Sequence, residues 1–131
     1  MKILVADDEP SILFLLTMFL KKWGYEVIAA DNGTEAWQVL QQEDAPRLAI
    51  LDSKMPGIEG VAICREIRKR TEQPYVYIML LTAQAQKADI QTGLAAGADD
   101  YLTKPFEPED LRTRLLAGRR LLESKERPAF L

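Results

Sequence analysis

Short apolar runs alternate with amphipathic stretches along the chain, which predicts strands followed by helices. Ile3-Leu4-Val5-Ala6 reads as a buried strand ending at Asp7-Asp8-Glu9. Pro10 suits the first turn of a helix, where the missing N–H is no loss. Ile12, Leu13, Leu16, Phe19 and Leu20 continue at helical spacing until Gly24. Tyr25 to Ala30 predicts a second strand, Asp31-Asn32-Gly33 a turn, and Thr34 the cap of a short helix through Leu40. Leu48-Ala49-Ile50-Leu51 predicts a third strand ending on Asp52. Val61, Ile63, Cys64 and Ile67 mark the next helix. Tyr75 to Leu81 predicts a fourth strand ending on Thr82, and a weakly apolar helix spans about Gln86 to Ala96. Tyr101-Leu102 predicts a short fifth strand, and a last helix runs from near Pro108 through Glu123 or beyond.

Five strands alternating with five helices predict an α/β doubly wound sheet with helices on both faces. The nearly all-apolar strands agree, since parallel strands are covered on both sides. In such sheets ligands bind beyond the carboxyl ends of the strands. Those ends carry Asp7-Asp8, Asp52, Thr82 and Lys104. Three crowded carboxylates repel one another unless a cation compensates. An all-oxygen donor set suits a hard divalent ion, and Mg²⁺ typically takes one or two carboxylates plus waters and phosphate oxygens. Lys104 adds a point charge for phosphate, and Thr82 a hydroxyl donor. Phosphoryl transfer needs mainly positioning and charge neutralisation, so the set predicts a phosphoryl-accepting site with Asp52 as nucleophile.

Composition narrows the partners. The 131 residues fit one domain, expected over 1–123, with 124–131 as a tail or the start of a linker to an output domain. Net charge is −3, so no direct nucleic-acid partner is expected. Histidine is absent, which excludes His-based catalysis and any role as a phosphohistidine carrier. Cys64 is the one cysteine, which leaves no intramolecular disulfide and is expected to be a core thiol. No basic leader precedes a long apolar run, so the expected location is the cytoplasm, with no membrane partner.

Several motifs follow one another in order: Asp7-Asp8, Asp52-x-x-Met55-Pro56-x-x-Glu59-Gly60, Leu81-Thr82-Ala83, Gly97-Ala98-Asp99-Asp100-Tyr101 and Lys104-Pro105-Phe106. Together they resemble the receiver domain of bacterial two-component response regulators, from residue 2 to about 120. The resemblance implies a flavodoxin-like (βα)5 sheet of strand order 2-1-3-4-5. It implies Asp52 as phosphoacceptor, charged by a histidine kinase or phosphotransfer protein. Asp8 would ligate Mg²⁺ directly, Asp7 mostly through water, and Lys54 through its backbone carbonyl. Thr82 would contact the phosphoryl group, Lys104 would pair with its oxygens, and Tyr101 would be the aromatic switch. The Lys104–Pro105 bond is expected to be cis.

The resemblance also marks departures. Lys54 and Gln84 occupy two variable positions that tune phosphoryl lifetime, and Lys54 is expected to weaken Mg²⁺ binding before phosphorylation. On the face of helix four, strand five and helix five, Asp100 and Arg114 would pair. Ile90, Ala95, Ala96, Leu116 and Ala117 replace a charged ladder there, which suggests a partner face or a phosphorylation-dependent homodimer. The basic residues of the last helix read as a solvated face. An aspartyl-nucleophile phosphohydrolase is the alternative; it favours an acid where Lys54 stands. A flavodoxin-like cofactor binder would need a phosphate cradle where Asp7-Asp8-Glu9 repels phosphate.

Overall fold

The computed structural model describes residues 1–70, 74–83 and 87–126. Ten elements alternate: β1 Lys2–Ala6, α1 Pro10–Lys22, β2 Glu26–Ala30, α2 Gly33–Leu40, β3 Leu48–Asp52, α3 Gly60–Arg68, β4 Tyr77–Ala83, α4 Lys87–Ala95, β5 Asp100–Lys104 and α5 Pro108–Glu126. The strands form one parallel sheet in the order β2-β1-β3-β4-β5, as expected.

Period-two alternation along each strand splits the core in two. Leu4, Ala6, Ala49, Leu51, Ile78 and Leu80 face α2 and α3, meeting Ala36, Leu40, Ile63, Cys64 and Ile67. Ile3, Val5, Leu48, Ile50, Met79 and Leu81 face α1 and α5, meeting Leu16, Leu20, Leu111, Leu115 and Leu122. Each fully buried leucine contributes about 1.5–3 kcal/mol relative to exposure. Because all five strands run the same way, their carboxyl ends share one rim.

Several boundaries differ from the sequence reading. The cap of α2 is Asn32, whose Oδ1 accepts the Glu35 amide at 2.8 Å, because the helix already begins at Gly33, ahead of Thr34. β4 starts at Tyr77 and not at Tyr75. The carbonyls of Tyr75 and Val76 accept from Arg47 Nε and Arg68 Nη1, at 2.9 and 2.8 Å. β5 is five residues long, its register fixed by pairing with Met79 to Ala83. The expected start of the fourth helix at Gln86, and the tuning position Gln84, lie outside the described residues. α5 passes the expected domain end at Glu123 and reaches Glu126.

The basic residues of α5 are not simply solvated. Arg112 lies over the Trp23 ring at 5.5 Å, Arg114 over Tyr101 at 5.7 Å, Arg119 over Tyr25 at 5.7 Å and Lys125 over Tyr75 at 4.3 Å. These contacts tie the helix to rings from the α1–β2 turn, from the segment before β4 and from β5. Ala96 is buried in the core and not on the α4 surface; Leu94 and Leu116 are the large apolar groups exposed there. Cys64 is buried as expected, its Sγ facing the Ala96 carbonyl at 3.7 Å, and burial pushes the thiol up to about 11. No described helix is long and apolar enough to cross a membrane.

Candidate functional site

Strand ends deliver the site. β1 runs straight into Asp7 and Asp8, and β3 ends on Asp52. One ligand atom from each of Asp7, Asp8 and Asp52 lies within 4.8 Å of the others. Asp7 is fully buried and Asp52 nearly so, while Asp8 is exposed. β5 ends on Lys104, and the Lys104–Pro105 bond is cis. Lys104 Nζ stands 2.8 Å from Asp7 Oδ2 and 3.3 Å from both Asp52 Oδ2 and Glu9 Oε1. Thr82 lies on β4 one residue past Leu81, the register partner of Asp52. The backbone seals the junction: Ser53 N donates to the Leu81 carbonyl at 2.9 Å.

Local sequence explains why Asp52 can sit so deep. Gly60 opens α3 directly against Asp52: a Cβ there would fall 2.2 Å from the Asp52 carbonyl oxygen. Only glycine lets the helix approach the strand end this closely. The intervening loop is pinned as well, with Gly33 N donating to the Pro56 carbonyl at 2.9 Å and Lys54 N to Asp52 Oδ1 at 3.4 Å.

Electrostatics follow from this crowding. Burial, reinforced by the Asp7 carboxylate, pushes Asp52 up to about 6, and Lys104 offsets only part of the effect. Burial works against the Lys104 charge, but the Asp7 and Asp52 carboxylates outweigh it and raise its pKa. Among the described residues, Thr82 Oγ1 is a buried side-chain polar atom with no hydrogen-bond partner, while buried Asp7 Oδ2 is held by its ion pair with Lys104. An unpartnered buried hydroxyl is costly, so a site holding one beside crowded carboxylates is built for something that satisfies it. The donor set is all oxygen, which fits a hard cation and a phosphoryl group and not a thiolate or imidazole metal.

A cleft of about 500 Å³ opens beside the cluster. Asp8, Asp52, Lys54, Ala83, Asp89 and Lys104 are among its lining residues. The sequence-predicted residues Asp7, Asp8, Asp52 and Lys104 therefore converge, and Lys54 lines the opening. Tyr101 does not reach the cleft; its half-buried ring lies beneath Arg114, which pairs with Asp100 at 2.6 Å.

Three features escape sequence reasoning. Glu9 joins Lys104, and its position right behind the acid pair was a usable signal. Asp89 meets Lys54 Nζ at 3.3 Å, a contact only the placement of α4 creates. At the opposite end of the sheet, Asp99 accepts from Arg68 Nη2 at 2.7 Å, from the Ile78 amide at 2.9 Å and from the Tyr75 hydroxyl.

Residues 3–116 match the family described as response regulator receiver domain. The chain is 46% identical over 129 residues to "Probable transcriptional regulator ycf27" of Cyanophora paradoxa, covering 98% of this chain and 51% of that protein. It is similar to the signal receiver domain of a signal transduction histidine kinase from Syntrophus aciditrophicus, with TM-score 0.82 and 31% identity over 99% of this chain and 96% of that one. It is also similar to a "probable two-component system response regulator/GGDEF domain protein", with TM-score 0.86 and 31% identity over 94% of this chain and 50% of that one. The chain spans about half the length of the curated relatives it matches.

Proposed function

The chain belongs to the response regulator receiver domain family, and on that premise we propose that it is a switch thrown by phosphorylation of Asp52. The family places it in two-component phosphorelay signalling. The observation that carries the acceptor reading is the meeting of an unpartnered buried hydroxyl, Thr82 Oγ1, with three carboxylates and Lys104.

An Asp52 carboxylate oxygen attacks the phosphorus of a phosphohistidine on a kinase or phosphotransfer protein. A P–O bond forms, the P–N bond breaks, and its electron pair returns to the imidazole. Lys104 stands 3.3 Å from Asp52 Oδ2, where it offsets charge building on the phosphoryl oxygens. Thr82 donates its hydroxyl to one of those oxygens. Asp7, Asp8, Asp52 and the Lys54 backbone carbonyl would hold Mg²⁺, which when bound neutralises phosphoryl charge. The same residues support attack of water on the phosphorus, which breaks the Asp52 O–P bond and releases inorganic phosphate, so the chain catalyses its own phosphorylation and dephosphorylation and serves no small-molecule product.

The readout runs through Thr82, which gains a partner, and Tyr101, which leaves its place beneath Arg114. The α4–β5–α5 face then changes toward an output domain, a downstream protein or a second copy. Leu94 and Leu116, each 45% exposed, supply apolar area on that face. The curated relatives are about twice the length of this chain, which supports an output domain as one such reader, and the expected setting is the cytoplasm.

Incubation with acetyl phosphate and Mg²⁺, followed by intact mass measurement, tests the reading. A single phosphoryl adduct on Asp52, lost in Asp52→Asn, is expected. No adduct in the parent rejects it.

A further inference from the structure

The ammonium of Lys54 reaches across the cleft to α4, where it pairs with Asp89 Oδ2 at 3.3 Å. Both residues line the cleft together with Asp52 and Lys104. Lys54 is two residues past the acceptor, and its own amide donates to Asp52 Oδ1 at 3.4 Å, so its backbone is tied to the carboxylate. Asp89 occupies the first turn of α4, where a carboxylate also complements the helix dipole. Within α4 only Gly93 is buried. The first turn of the helix carries no buried side chain, and the ion pair is a direct tie between that turn and the acceptor loop.

We propose that Asp89 is a positioning residue for Lys54, and that their ion pair is a latch which a phosphoryl group on Asp52 opens by competing for the ammonium. The inference rests on the acceptor reading above. Lys104 and a bound divalent cation together balance the charge of Asp7, Asp8 and Asp52. Replacing the Asp52 carboxylate by a roughly doubly charged phosphoryl group leaves about one negative charge over. Lys54 is the cation on the cleft wall that can complete the balance. Its long, flexible stem lets the ammonium turn from a singly charged carboxylate to a more highly charged anion. Turning inward, it screens the phosphoryl group from water; turning outward, it holds α4. Asp89 thus sets both how long the phosphoryl group lasts and whether the first turn of α4 is fastened.

The test follows the Asp52 adduct after removal of acetyl phosphate in Mg²⁺, together with amide hydrogen exchange at residues 91–94, whose amides bond back to the first turn of α4. Asp89→Asn leaves the ammonium without its carboxylate rival, so the adduct is expected to last roughly two- to fivefold longer, the range of an exposed ion pair. Asp89→Glu restores the parent lifetime. In Lys54→Met, adding Asp89→Asn changes nothing. Exchange at 91–94 rises on phosphorylation of the parent and is already high in unphosphorylated Asp89→Asn. A parent-like lifetime in Asp89→Asn, or the same lengthening with Lys54→Met present, overturns the latch and leaves the acceptor reading standing. An absence of any adduct on parent Asp52 overturns both.

Discussion

Burial and the Asp7 carboxylate hold the Asp52 carboxyl at about 6, well above the ordinary aspartate value. A carboxyl raised in this way takes up a proton more readily in the folded chain than in the unfolded one. The group therefore favours the folded state as pH falls from about 6 toward the ordinary value, and that contribution is lost as pH rises through about 6. Two outcomes follow. Denaturant titration of the metal-free protein at pH 7.5 should show Asp52→Asn more stable than the parent by on the order of 1–2 kcal/mol, with the gain absent at pH 3.5. Mg²⁺ must displace the same proton, so its affinity should fall about tenfold between pH 7 and pH 5. Calorimetric titration at the two values checks this, and a flat profile would place the raised carboxyl elsewhere.

Elements bring these residues together through contacts that a linear reading does not contain. α3 reaches the acceptor because Gly60 leaves room beside the Asp52 carbonyl. Gly60→Ala should lower stability by about 2–4 kcal/mol and shift Asp52, since backbone cannot yield as a side-chain tip can. Far from Asp52, Arg68 of α3 binds Asp99, the Val76 carbonyl and the Gly97 carbonyl, joining α3, the residue just before β4 and the α4–β5 connection. The Arg68–Asp99 pair is mostly buried, so Arg68→Met should cost about 3 kcal/mol by stranding a carboxylate. Urea unfolding of the single variant and of the double variant with Asp99→Asn checks this. The double variant should recover part of the loss. The arginines of α5 read as a charged face because their sequence neighbours are polar. Trp23, Tyr25 and Tyr101 come from distant strands and loops, so no local pattern announces those ring contacts.

At the scale of the molecule, a switch must carry a local charge change to a surface. The acceptor cleft and the α4–β5–α5 face share α4 and β5, so a change at Asp52 has a short path to Leu94, Tyr101 and Leu116. Sedimentation with and without acetyl phosphate should show a mass increase on phosphorylation if that face receives a second copy. An unchanged mass assigns the face to a different partner.

The sequence by itself determined the alternation of strands and helices, the parallel sheet and the acidic, hydroxyl and lysine residues at its strand ends. Those features are local or periodic: side-chain spacing fixes each element, and a parallel sheet forces its carboxyl ends onto one rim. Tertiary structure alone decided which charges pair. Lys104 meets Glu9 across 95 residues of chain, Lys54 meets Asp89 and Arg68 meets Asp99. It also decided that β4 begins at Tyr77, because Arg47 of the α2–β3 connection and Arg68 of α3 take the carbonyls just before it. An ion pair depends on where two side chains end in space, and that distance is set by packed elements and not by spacing along the chain.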